Sequence, residues 1–133
     1  MDFFLEKYFG NPENAPASFQ DIDQLEAELG IRLPSDFSNF LRNVNGFEGF
    51  IGDSYVVFTT VQTIHQLTLD YCSEFFPWAI FIGSNGGLEM LIIDTRSSPY
   101  QFGLLPFIAD DSDFVGLGHS FEQFLEKLSV SED

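Results

Sequence analysis

The sequence predicts an α+β fold in which helices flank a single central, largely antiparallel sheet. Apolar residues recur at helical spacing early in the chain and again near its end, and β-prone runs joined by short Gly- and Asn-containing turns lie between them. Strands joined by tight turns pair antiparallel, and helices must cover their apolar face. No repeat or linker divides the 133 residues, and one hydrophobic core is usual at this length. We therefore expect one domain over residues 1–133.

Four segments have the spacing of amphipathic helices. The first runs from Phe19 to Leu29, with Ser18 or Asp21 as the expected cap and Gly30 as its end. The second begins at Pro34, which a first helical turn tolerates, and ends before Asn45-Gly46. The third and fourth predicted helices span residues 60–72 and 120–128.

Two hairpins and a further strand account for the extended segments. The clearest β signal joins residues 78–83 to 88–94 through Ser84-Asn85-Gly86-Gly87, because Asn-Gly and Gly-Gly supply the positive φ angles of tight turns. A second hairpin is predicted for 47–51 and 55–58, and a last strand for 103–108. The 17 Phe residues fall mainly on these stripes, so we expect them to pack in the core.

The charge of the chain is strongly one-sided. Five Lys and Arg residues stand against 21 Asp and Glu, giving a net charge of −16, and both halves of the chain are acidic. Such a field opposes binding to nucleic acid and to anionic membranes. Two interpretations remain open: self-repulsion that keeps the protein soluble as a monomer or weak dimer, and electrostatic attraction of a basic partner.

The cellular compartment is predicted from what the sequence lacks. No basic leader precedes an apolar core near Met1, and no uncharged apolar run approaches the roughly 20 residues that span a bilayer. Cys72 is the only cysteine, so it has no disulfide partner within the chain. A reducing cytoplasm is the expected location.

Several blocks, taken in order, resemble the SUKH superfamily. The early blocks are Ile22-Asp23-Gln24-Leu25-Glu26, Leu29-Gly30-Ile31-Arg32-Leu33-Pro34-Ser35-Asp36-Phe37, and Phe40-Leu41 running into Asn45-Gly46. The later blocks are Trp78, Ile82-Gly83-Ser84-Asn85-Gly86-Gly87, Leu91-Ile92-Ile93-Asp94, and Ser120-Phe121 leading into Phe124-Leu125. The resemblance covers residues 18–128, and its matching positions are chiefly structural.

The resemblance implies a fold and a class of function. The implied fold has helices packed on a central sheet, and most bacterial SUKH proteins neutralise a cognate toxin, frequently a nuclease, by direct binding. The superfamily also includes fungal regulators of cell-wall assembly, which leaves a regulatory or scaffolding module for an endogenous cytosolic protein as the alternative. A shared fold does not transfer a shared target.

The candidate catalytic residues do not form a recognisable site. On a straight helix the seven-residue step from His65 to Cys72 corresponds to about 10.5 Å along the axis, too far for direct proton transfer. Gly83 to Gly87 lacks the lysine and the following helix of a phosphate-binding loop. We therefore expect a protein that is not an enzyme and needs no cofactor.

One acidic segment has part of a calcium-binding register. Asp111, Asp113, Gly116 and Glu122 fall at the first, third, sixth and twelfth positions of such a loop. The register fails at its fifth position, where Val115 offers no oxygen ligand. A solvated acidic loop is the better interpretation, and no metal site is predicted.

The resemblance to SUKH proteins implies an immunity protein as the predicted function, and the net charge of −16 is consistent with it. Its acidic surface would bind a basic toxin, with a nuclease as the expected type, and block the toxin's active site. The acids in or near turns are the predicted partner-binding residues: Glu48, Asp53, Glu89, Asp110, Asp111 and Asp113. The same six residues could equally be solvated surface acids.

Overall fold

The computed structural model describes residues 3–130 as five α-helices, a six-stranded sheet and a short 3₁₀ turn. The helices are α1 Phe3–Phe9, α2 Phe19–Leu29, α3 Ser35–Asn43, α4 Ile64–Tyr71 and α5 Phe121–Ser129. The strands are β1 Phe47–Ile51, β2 Ser54–Phe58, β3 Ala79–Ser84, β4 Glu89–Asp94, β5 Gln101–Pro106 and β6 Val115–Gly118, with the 3₁₀ turn at Asp111–Asp113. The predicted α+β class is confirmed.

The strands lie in the sheet in the order in which they occur along the chain, and every neighbouring pair is antiparallel. The predicted central hairpin is β3–β4. Its turn is held by Asn85, whose side-chain carbonyl accepts hydrogen bonds from the backbone N–H groups of Gly87 and Glu89. The largely antiparallel sheet expected from the tight turns is thus confirmed.

The two central strands are buried on both sides of the sheet. On β4, Leu91 and Ile93 point to a larger core beneath α1, α2, α3 and α5, on what we call the first face. Met90 and Ile92 point to a smaller core on the opposite, second face, where α4 packs against β3. Burial on both sides explains why Met90 to Ile93 is an uninterrupted apolar run.

Phenylalanine rings form the centre of the larger core. The Phe40 ring lies 4.9 Å from that of Phe9 and 4.9 Å from that of Phe121, which joins helices from both ends of the chain. Most of the Phe residues pack as predicted. Phe19 was expected on the buried stripe of α2, but it is 67% exposed, and the Arg42 guanidinium lies 3.5 Å above its ring.

The helix boundaries follow the predicted caps, with differences at α1 and α4. The Ser18 hydroxyl accepts from the N–H of Asp21, and the Asp21 carboxylate accepts from the N–H of Ser18, so both predicted residues form one capping box. Helix α4 begins at Ile64 rather than near residue 60, because residues 60–63 form a turn. Helix α1 was not predicted.

Candidate protein-binding surface

Four of the five Lys and Arg residues lie on elements of the first face. Lys7 lies on α1, Arg32 precedes α3, Arg42 lies on α3 and Lys127 lies on α5, all elements of the first face. Residues 43–95, which include β1 to β4 and α4, contain no Lys or Arg. That stretch carries six acids: Glu48, Asp53, Asp70, Glu74, Glu89 and Asp94.

The fifth cation, Arg96, is paired. Its Nε and Nη2 atoms donate to the two carboxylate oxygens of buried Asp94, each at 3.0 Å. The Asp94 carboxylate raises the pKa of Arg96 chiefly through this hydrogen bonding. Arg96 also lies 3.7 Å above the Trp78 ring, and Trp78 Nε1 donates to Asp111 at 3.1 Å. Asp111 therefore helps to hold the segment after β5 against the sheet.

Asp110 and Asp113 brace the 3₁₀ turn. The Asp113 carboxylate accepts from the N–H of Asp110 at 2.8 Å, and the two residues form a reciprocal capping box. All three predicted acids of this turn are exposed. Part of their hydrogen-bonding capacity is thus used inside the turn, and the remainder faces solvent.

Glu48 lies on the second face beside two aromatic residues. The Tyr55 hydroxyl donates to Glu48 Oε2, and this hydrogen bond is the main cause of the raised pKa of Tyr55. The Phe50 and Tyr55 rings lie 5.5 Å apart in a T-shaped arrangement. Sequence reasoning missed both aromatic residues, although the alternation of the β1–β2 hairpin already places them on the same face as Glu48.

Asp53 and Glu89 come together at one end of the sheet. Both line a shallow pocket of about 210 Å³ between the start of β2, the start of β4 and Leu128 of α5. The Glu89 carboxylate accepts from the Asn85 side chain at 3.0 Å. The six predicted acids therefore fall into three groups: Glu48, the pair Asp53 and Glu89, and the three residues of the 3₁₀ turn.

The candidate catalytic residues lie apart. The Cys72 thiol packs 3.9 Å from the Met90 sulfur in the smaller core, and burial raises its pKa to about 12. His65 instead lies 3.7 Å from the Glu28 carboxylate. The segment with the partial calcium-binding register does not form a loop over its whole length, because residues 115–118 form β6.

Neither a cluster of metal ligands nor a membrane-spanning helix occurs within residues 3–130. Among them, no group of three or more His, Cys, Asp or Glu side chains is placed to hold a metal ion. None of the helices in that range is both long and apolar enough to cross a membrane.

Helices packed on a six-stranded antiparallel sheet are the fold that the early resemblance implied, that of a SUKH domain. The model of the SMI1 / KNR4 family (SUKH-1) matches residues 16–127. The chain belongs to that family. It is also similar to a protein of Bacillus subtilis (strain 168) named Uncharacterized protein YnaB, with 28% identity over 116 residues, 85% of this chain and 76% of the relative.

Proposed function

We propose that this chain is an immunity protein that binds and neutralises a basic toxin, with a nuclease as the expected type. The observation that carries the proposal is the segregation of charge: a SUKH-1 domain in which residues 43–95 contain six acids and no Lys or Arg. The protein would act in the cytoplasm by binding alone, without catalysis or a cofactor.

The electrostatics favour a basic partner that handles nucleic acid. A nuclease must hold phosphates with Lys and Arg side chains, and those side chains are complementary to an acidic protein. Opposite charge can raise association rates by about 10 to 1,000-fold, which suits rapid capture of a harmful enzyme. Bound to those Lys and Arg side chains, the chain would exclude the nucleic acid substrate, because it would cover the surface that binds the phosphates.

The test uses the full chain and the toxin domain encoded beside its gene. Calorimetry should give a dissociation constant below about 1 μM, and toxin activity should fall in proportion to added protein. Affinity should decrease as NaCl rises from low to high concentration, because salt screens the attraction. Absence of binding at this level, or binding without inhibition, would contradict immunity, and capture of a constitutive cellular protein would favour the regulatory alternative.

A further inference from the structure

We infer that the partner docks on an uncovered part of the second face, which presents Glu48 together with exposed aromatic and aliphatic side chains. We call this surface the open face and define it by Glu48, Phe50, Tyr55, Tyr71, Leu88 and Phe107. The inference rests on the proposed function for the partner's identity, but the surface itself can be tested separately.

Ring contacts, the β3–β4 turn and one backbone hydrogen bond connect the residues of the open face. Phe50 packs on Tyr55, and the Tyr55 ring lies against the β3–β4 turn so closely that a Cβ atom at Gly86 would be 2.9 Å from it. Leu88 follows that turn, and its carbonyl accepts from the N–H of Phe107 at 3.0 Å. The Phe107 ring lies 5.4 Å from that of Tyr71. The open face therefore crosses the sheet from β1 to the end of α4.

The open face exposes several large apolar side chains. Phe50 is 65% exposed, Leu88 is 84% exposed and Tyr71 is 50% exposed. Helix α4 covers β3 on this face and ends at Tyr71. Contiguous exposed apolar residues beside polar ones are typical of protein interaction sites, with aromatic residues as common anchors.

The charge of the open face favours a basic partner. The partner that fits is a protein surface that presents Lys or Arg side chains together with an apolar anchor. Glu48 is its charged member, Asp70 precedes Tyr71 directly, and the elements that form it contain no Lys or Arg. Lysine or arginine side chains could pair with Glu48 and lie over the Tyr55 and Phe50 rings. A second copy of this chain would present the same face, with Glu48 and no Lys or Arg, and carries the same net charge of −16, which opposes self-association through this face.

The 3₁₀ turn with its three acids is a weaker docking surface. The Asp111 carboxylate holds Trp78, and Asp113 holds the N–H of Asp110, so both contribute to the local structure. Exposed ion pairs add little affinity unless apolar burial excludes water around them. The open face supplies that apolar area beside its acid.

The experiment compares matched variants on opposite faces. Phe50→Ser combined with Leu88→Ser should weaken toxin binding by about 30-fold or more, as expected for loss of central anchors. Phe19→Ser is the control, because Phe19 is 67% exposed on α2, and it should change the affinity by less than about threefold. The removed side chains are exposed, and circular dichroism verifies that each variant is folded.

A second arm uses the wild-type chain and a short peptide rich in arginine and tryptophan, followed by amide chemical shifts. Shifts concentrated in residues 47–57, 84–89 and 107 support the open face even if the toxin does not bind, in which case only the immunity proposal fails. Toxin binding that the double variant leaves within threefold of wild type overturns the open face and leaves immunity intact. If the peptide shifts centre on residues 110–114 or are absent, and the toxin does not bind, both the open face and the immunity proposal are overturned.

Discussion

The guanidinium of Arg96 lies 3.7 Å above the indole ring of Trp78 while it forms two hydrogen bonds to Asp94. Asp94 is buried, so its carboxylate depends on this one cation for compensation of its charge. Asp94 and Arg96 lie at the end of β4. Trp78, beneath Arg96, connects them to the acidic 3₁₀ turn through its hydrogen bond to Asp111.

Replacing Arg96 with Ala should lower the free energy of unfolding by about 1–3 kcal/mol, because a buried carboxylate loses its charged partner. Urea denaturation followed by circular dichroism measures this loss. Trp78 is the only tryptophan, so its fluorescence should also change in the folded state. Arg32→Ala, at an exposed position, should stay within about 0.5 kcal/mol of wild type. Equal stability of the two variants would contradict this role for Arg96.

Asn45 combines a left-handed backbone with buried hydrogen bonds. Its φ is 53°, its side-chain carbonyl accepts from the N–H of Val61 at 2.8 Å, and its amide donates to the carbonyl of Ala15 at 2.9 Å. Asn45→Gly should cost about 1–3 kcal/mol by leaving these buried groups unpaired. Asn45→Ala should cost about 1–2 kcal/mol more, because alanine adopts this conformation poorly. Chemical denaturation of both variants separates the lost hydrogen bonds from the cost of the left-handed backbone. Equal losses of unfolding free energy in the two variants would exclude a backbone cost.

Gly83 is fixed by the close approach of β2 to β3. A Cβ atom at this position would lie 2.1 Å from the Val57 carbonyl oxygen. We expect Gly83→Ala to lower stability by about 1–3 kcal/mol, because the two strands must separate. Gly87 has its nearest such contact at 3.5 Å and provides the control, with Gly87→Ala neutral or slightly stabilising. Thermal melts of the two variants measure the difference, and a Gly83 variant that melts like wild type would show that the strands can adapt.

Cys72 should make stability fall at alkaline pH. Burial raises the pKa of the folded thiol to about 12, whereas an unfolded thiol ionises near pH 8.5. The stabilisation is complete below the unfolded pKa and is lost as pH rises toward the folded value. Between about pH 9 and 11, the unfolding free energy of wild type should decline by about 1.4 kcal/mol per pH unit more than that of Cys72→Ala.

The same thiol offers a kinetic check. Native protein should react with a thiol reagent at pH 8 only as fast as it opens, and denatured protein should react at once. Rapid labelling under native conditions would show that Cys72 is more accessible than its position in the smaller core implies.

Local sequence patterns predicted the helices and strands that carry a clear cap, turn or apolar run within their own residues. The Asn85-Gly86-Gly87 turn and the apolar run after it predicted the central hairpin, and the Ser18 and Ser120 caps marked two helix starts correctly. Helix α1 was missed because only Leu5 and Phe9 of its seven residues are buried, too few to establish a period. Strand β6 was missed because two of its four residues are glycine and its partner, β5, supplies its pairing.

The surface could be predicted only in part. The one-sided charge and the exposure of several acids follow from the sequence. The grouping of Glu48 with Tyr55 depends on the register between β1 and β2, and the proximity of Leu88 to Phe107 depends on the meeting of β4 and β5. The predicted β1–β2 hairpin gives a signal for the first of these relationships, whereas the separation of Leu88 from Phe107 along the chain gives none.

Helix α5 has a consequence for how the protein is made in the cell. Its four buried residues, Phe121, Phe124, Leu125 and Leu128, complete the larger core that the early helices begin. On the ribosome, the nascent chain can pair its strands one after another, but this core lacks one of its helices until α5 has also emerged. Before α5 emerges, the nascent polypeptide exposes the apolar side chains of this core and is open to aggregation, which chaperones limit.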